Sequence, residues 1–216
     1  MKTNKTYAVF GLGRYGTAVA KELVENGMEV IAVDTEQRII NDAVSFLPVC
    51  KCADVTDAEV ISRLGIGNID TVIVCMASNL EASVMAVTLC KEAGVKTVIA
   101  KCANEMHQNI LLRVGADQVV FPENESGIRL AKNLLSAGFI DMISLSKDVS
   151  MVEINVKDEW CGKNLIELNL RKKYGINVVA IKKDETVNVN INPEQILDSE
   201  TTLIVIANTA KLGKLK

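Results

Sequence analysis

Tyr7-Ala8-Val9-Phe10-Gly11-Leu12-Gly13-Arg14-Tyr15-Gly16 is a short apolar run followed at once by G-x-G-x-x-G, and a second apolar run, Val30-Ile31-Ala32-Val33, ends in Asp34. The order strand, glycine turn, helix, strand, acid is the context in which such a turn binds a nucleotide. The three glycines have separate tasks: a tight turn at Gly11, bare backbone facing a phosphate at Gly13, and close helix-on-strand packing at Gly16. Backbone N–H groups at the helix start would face the anion. Asp34 stands where a carboxylate can accept hydrogen bonds from ribose hydroxyls, and it would repel a 2′-phosphate. The stretch therefore predicts an adenosine nucleotide site that is not NADP-like.

Outward from this turn, Val- and Ile-rich runs alternate with helical patterns. Strands are expected near 6–10, 29–34, 48–52, 71–76, 97–101 and 118–121, with helices near 14–26, 36–45, 57–65, 79–93, 105–114 and 123–136. Six strands alternating with six helices predict an α/β, Rossmann-like, doubly wound parallel sheet. Thr56-x-x-Glu59 reads as a capping box, and Gly94 and Gly115 sit where helix C-caps belong. Ligands of such sheets bind outside the strand carboxyl ends, where the strand order reverses. That places the glycine loop, Asp34 with Thr35, Asp54 with Val55 and Thr56, Ala77 to Asn79 (with Ser78), Lys101 and Glu123 along one rim.

The pattern changes after residue 136. Ala137 to Ser146 carries Phe139, Ile140, Met142, Ile143 and Leu145, too apolar for an idle linker, and reads as a crossover that packs on a second copy of the chain. Strands near 151–156, 177–182, 186–190 and 202–207 then surround one helix near 163–174, a small α+β unit. Its size, about 65 residues, is marginal for a core of its own.

Composition narrows the function. The 216 residues are 49% hydrophobic and 24% charged, with a net charge of −3 and basic clusters only at Arg171-Lys172-Lys173 and in the Lys-rich tail. Phosphate neutralisation by Lys and Arg dominates nucleic-acid affinity, so no nucleic-acid partner is expected. The polar opening Lys2 to Thr6 predicts no signal peptide, and no run approaches the roughly 18 apolar residues of a membrane span. The expected compartment is the cytoplasm. Six cysteines without a C-x-x-C pair, and a single histidine, give no zinc set and read as reduced core thiols.

The inventory also argues against a dehydrogenase, which ordinarily adds a substrate domain carrying a His, Lys or Tyr acid/base. No histidine lies in the second part, and His107 reads as a surface residue near a helix start. Arg14 opposes the macrodipole of the first helix unless an anion lies beside it. It fits either a terminal phosphate, held by a bidentate fork, or open solvent. Lys101 fits either a phosphate contact or a solvated strand end, and Glu123 alone fits an ordinary acid in a helix's first turn.

Gly11 to Gly16 with Arg14, then Asp34, Ala53-Asp54-Val55-Thr56, Lys101 and Pro122-Glu123-x-x-x-Gly127, resemble the RCK regulatory proteins of Ktr/Trk potassium uptake systems. Asn164 to Tyr174 followed by Val178-Val179-Ala180-Ile181 resembles the start of that family's C-terminal subdomain. The resemblance implies an RCK_N (TrkA_N) domain over 1–136, a dimerisation crossover over 137–148 and an RCK_C (TrkA_C) subdomain over 149–216. It implies a non-enzymatic regulator, a homodimer assembling into an octameric ring beneath a KtrB- or TrkH-like membrane transporter. ATP and ADP would set its state, with NAD or NADH in the same cleft. By motif position Asp34 holds the ribose, Asp54 and its neighbours the adenine edge, and Arg14 with Lys101 the terminal phosphates; Tyr15 belongs to the same loop. Glu123 matches the family's acidic residue at the dimer cleft, where a divalent cation, Mg2+ or Ca2+, assists ATP activation. The C-terminal subdomain would bind cyclic di-AMP near Leu165, Ile166, Arg171, Ile176 and Pro193.

Overall fold

The computed structural model describes residues 5–135, 139–184, 186–210 and 212. The chain divides into two units, residues 1–122 and 123–216. In the first, β1 (Thr6–Phe10), α1 (Arg14–Glu25), β2 (Glu29–Asp34), α2 (Gln37–Ala43), β3 (Val49–Cys52), α3 (Ala58–Arg63), β4 (Thr71–Val74), α4 (Leu80–Glu92), β5 (Thr97–Lys101), α5 (Glu105–Arg113) and β6 (Gln118–Val120) alternate as the sequence predicts. The strands form one sheet in the order β3-β2-β1-β4-β5-β6, every neighbouring pair parallel. This is the doubly wound order, with its reversal between β1 and β4.

Both faces of the sheet are covered, which is why the strands read as continuous apolar runs. Ala8 and Phe10 of β1 and Val72 and Val74 of β4 enter one core, with Val87, Cys90 and Leu111 from α4 and α5. Val9 and Ile73 point the other way into a second core with Ala20, Ile40 and Leu47. Gly94 (φ +86°) and Gly115 (φ +111°) follow α4 and α5 in the left-handed conformation expected of them.

Two local expectations in this unit need correction. The capping box at Thr56 and Glu59 does not form: Asp57 is the N-cap of α3, accepting from the Glu59 amide, and Thr56 donates instead to Asp54. The short Asp57 carboxylate reaches the second helical amide without Thr56, which leaves Thr56 free to close a turn on Asp54. His107 is buried, 4% exposed, and not on the surface. Its ring has found a hydroxyl partner, Ser83, that a linear pattern does not reveal.

The second unit begins with α6 (Pro122–Leu135) and builds a five-stranded antiparallel sheet from β7 (Phe139–Ser144), β8 (Val149–Asn155), β9 (Ile176–Lys183), β10 (Thr186–Asn188) and β11 (Thr201–Asn208), in the order β10-β9-β11-β8-β7. The segment expected to be a crossover is thus in large part β7, an edge strand hydrogen-bonded to β8. Its Met142 is buried in the unit's own core, with Val152, Trp160, Leu168, Leu203 and Val205. The helix expected over 163–174 is two short ones, α7 (Leu165–Leu168) and α8 (Leu170–Tyr174). Asn169 breaks them at φ 46°, a left-handed conformation that Asn tolerates better than most residues. Asn164 and Glu167 form a capping box at the start of α7.

Candidate nucleotide cleft

All the first-unit candidates come to the carboxyl edge of the parallel sheet. The Gly11 amide donates to Val33 O at 2.8 Å and the Cys75 amide to Phe10 O at 2.7 Å, which draws the ends of β1, β2 and β4 together. Gly11 adopts φ +86°, a conformation costly for a side chain. A Cβ on Gly16 would lie 1.9 Å from Gly11 O and 3.2 Å from the Cys75 Cβ, so only hydrogen permits this closeness of helix and turn. A Cβ on Gly13 would meet nothing within 4 Å. The bareness of Gly13 serves nothing inside the chain and leaves its backbone open to an approaching group.

The start of α1 is prepared for an anion. Gly13 is its N-cap and offers no side-chain acceptor, and the first turn contains no acid. By contrast α3, α4 and α5 begin with Asp57, Asn79 and Asn104, each accepting from a helical amide. The amides of the first turn of α1 thus lack the intrachain cap those helices possess, and the exposed Arg14 stands at its first position. Lys101, at the end of β5, lies with Nζ 5.6 Å from the Tyr15 ring centroid, which gathers the second candidate cation beside the glycine loop.

Asp34 braces the loop. Its Oδ2 accepts from the Leu12 amide at 2.7 Å and its Oδ1 from the Glu36 amide at 2.9 Å. Each carboxylate oxygen has a further lone pair, so acceptance from ribose hydroxyls remains available. Next to it, Thr35, Asp54, Thr56, Met76, Ser78, Asn79, Glu81, Ala82 and Met85 line an open cleft of about 460 Å³. That volume is within the usual span for small-molecule sites. Asp54 accepts from the Thr56 amide (2.9 Å) and hydroxyl (2.7 Å), and these bonds hold its carboxyl below the ordinary carboxylate range. It is therefore an acceptor at neutral pH.

Several site residues fall elsewhere than expected. Val55 is 2% exposed within the core, so its side chain cannot line the cleft and only its backbone is at hand. Met76, Glu81, Ala82 and Met85 were not singled out by sequence; Ala82 and Met85 lie three residues apart on one face of α4, the spacing that could have found them. Glu123 opens α6 and belongs to the second unit. Among the described residues no group of three or more His, Cys, Asp or Glu is arranged to hold a metal ion. In the second unit Ile166, Arg171 and Pro193 are exposed and Leu165 is half-buried, its amide donating to Pro193 O at 3.1 Å. Ile176, at 1% exposure, is buried in the unit's core.

None of the six cysteines forms a disulfide. Cys90 and Cys102 are fully buried, and burial pushes the Cys75 and Cys90 thiols up to about 12, which makes them inert. Cys52 departs from the core reading, being exposed at the end of the edge strand β3.

A parallel sheet in this order, with a glycine turn and an acid at its reversal point, defines a Rossmann-type domain with the phosphate loop of dinucleotide binders. Residues 7–122 match the TrkA-N domain family and residues 149–216 the TrkA-C domain family. The chain belongs to this TrkA-N/TrkA-C family of potassium uptake proteins. It is 36% identical to Ktr system potassium uptake protein C of Bacillus subtilis (strain 168), over 98% of this chain and 96% of that one. It is 33% identical to Ktr system potassium uptake protein A of the same organism, over 99% and 96%. A solved structure, the GsuK channel bound to NAD, shares the fold at a TM-score of 0.55 and 22% identity over 98% of this chain, which spans 38% of that channel chain. No helix among the described residues is long and apolar enough to cross a membrane.

Proposed function

We propose that this protein is the nucleotide-operated regulatory subunit of a Ktr-type potassium uptake system. It acts at the cytoplasmic face of the membrane, on a transporter subunit that it does not itself contain. The observation that carries the reading is the conjunction of a bare Gly13, an uncapped α1 and two cations, Arg14 and Lys101, at the same loop of a chain that matches 96% of its Ktr relative. Adenosine nucleotides bind with the ribose on Asp34, the adenine toward Asp54 and the cleft, and the phosphates on the Gly13 loop. ATP and ADP differ only beyond the β-phosphate, so they can set different states only through a contact there. Arg14 supplies it, within one chain or across to the next subunit of a dimer-based ring.

In this proposal the cleft carries out no catalytic step. The chain's single histidine is buried against Ser83, and the second unit has none. Cyclic di-AMP is a further ligand in this proposal, held between the second units of a dimer by Arg171 with Ile166 and Pro193. The test of the proposal is potassium flux into liposomes carrying the cognate transporter. ATP-loaded protein should raise the flux and ADP-loaded protein should not. Equal flux with ATP, ADP or no protein would refute it.

A further inference from the structure

The burial of His107 is not idle packing, because its hydrogen bonds fix both its protonation state and what it connects. The Ala103 amide donates to Nδ1 at 3.3 Å, so Nδ1 carries no proton. The ring proton is therefore on Nε2, which donates to Ser83 Oγ at 2.8 Å, and the Ser83 hydroxyl donates in turn to Leu80 O at 2.8 Å. Every group in this relay has a partner only while the imidazole is neutral. Ser83 is fully buried and His107 4% exposed, so water cannot readily take over.

The relay joins two parts of the cleft. Leu80 and Ser83 are in the first turn of α4, the turn whose Glu81 and Ala82 line the cleft with the N-cap Asn79. Ala103 lies two residues after Lys101, the cation beside Tyr15. We propose that Ser83 and His107 form a positioning latch that holds the α4 wall of the nucleotide cleft in register with the Lys101 strand end, closed while His107 is neutral and released when it is protonated.

The second proton has to enter at Nδ1, where it would meet the Ala103 N–H donor to donor. The imidazolium would also stand in the first turn of α5, where the helix dipole disfavours a cation. Burial accordingly holds the ring's pKa below its ordinary 6.5, and no charge contributes to that shift. The titratable groups on the elements around it are Glu81 and Cys90 on α4, Glu105 on α5, Lys101 ending β5 and Cys102 after it, with Lys91, Glu92 and Arg113 toward the opposite helix ends. The ring's hydrogen bonds run to the Ala103 amide and Ser83 Oγ, and burial is what depresses its pKa. His107 touches no part of the cleft itself and acts through the two elements it ties.

This inference rests on the nucleotide reading of the cleft, and the experiment separates the two. NAD is the probe, because its diphosphate does not titrate near neutral pH. Calorimetric titrations of the full chain run from pH 8 down to the lowest pH at which melting curves still show a folded protein, because the ring titrates below its ordinary 6.5. Wild-type affinity should weaken about tenfold over that span, the low end of typical coupling between distinct sites. His107→Gln, which keeps a neutral donor toward Ser83, should bind as wild type at pH 8 and show a flat profile. Ser83→Ala, which breaks the latch at every pH, should lose about the same factor already at pH 8. A flat wild-type profile, or an unchanged slope in His107→Gln, would overturn the latch and leave the cleft reading standing. Absence of NAD, ADP and ATP binding at pH 8 would overturn both.

Discussion

Gly13 and Gly16 are three residues apart in one turn, yet alanine at each should fail in a different way. At Gly16 the added Cβ would stand 1.9 Å from Gly11 O, and real Cβ contacts essentially never fall under 3.0 Å, so helix and turn must separate by more than an ångström. The obstructing atom is backbone, and Cys75 Cβ at 3.2 Å closes the other side. Overpacking of this kind costs about 1–3 kcal/mol. The melting temperature should drop by roughly 2–4 °C for each kcal/mol. At Gly13 the Cβ meets nothing and φ is −64°, so the alanine protein should melt with the wild type. Its methyl would instead occupy the space through which a phosphate reaches the α1 amides. Nucleotide affinity should then fall by tenfold or more, the equivalent of about 1.4 kcal/mol. Differential scanning calorimetry and titration with ADP, run on both variants, read the two effects separately. If Gly13→Ala binds ADP as the wild type does, the phosphate assignment of the loop is wrong. If Gly16→Ala melts unchanged, the packing argument is wrong.

Asp34→Ala should weaken ATP, ADP and NAD alike by about 1.5–3 kcal/mol, since all three share the adenosine ribose; a loss confined to one nucleotide in calorimetric titration would exclude the ribose role. Asp117 accepts from the Val98 amide at 2.7 Å and from Lys91, which holds its carboxyl below the ordinary 3.8. Its stabilisation is therefore present above 3.8 and lost as pH falls through the lower folded value. The gap in melting temperature between wild type and Asp117→Asn should accordingly be open at pH 6 and closed in strong acid; a constant gap would remove the ionic contribution. Cyclic di-AMP should bind the full chain and bind Arg171→Ala more weakly; absence of binding at tens of micromolar ligand would discard that site.

The parallel sheet was legible because its central strands β1, β2 and β4 are largely buried, so each reads as a nearly uninterrupted apolar run. Gly11 and Gly16 were legible for a related reason: a positive φ and a close helix-on-turn contact leave few residue types to choose from. What escaped depends on partners distant in sequence. Ser83 is 24 residues from His107, and only their meeting turns a surface-like histidine into a buried one. Phe139 to Ser144 read as a crossover from its composition, and the pairing with β8 that makes it an edge strand lies outside what composition records. Asn169 interrupts a good helical pattern because its backbone turns left-handed, which periodicity does not register. Val55 shows the converse: the motif around Asp54 pointed to the cleft, but this one side chain turns into the core.

The central claim is that Arg14 reads the third phosphate, and it is tested most directly by titrating wild type and Arg14→Ala with ATP and ADP. A charge-assisted hydrogen bond is worth about 1.5–3 kcal/mol, so the variant should lose ATP affinity by roughly tenfold or more. The account predicts that ADP affinity changes comparatively little, so that the preference for ATP collapses. Equal losses for ATP and ADP would make Arg14 a general anion contact and contradict the proposed switch.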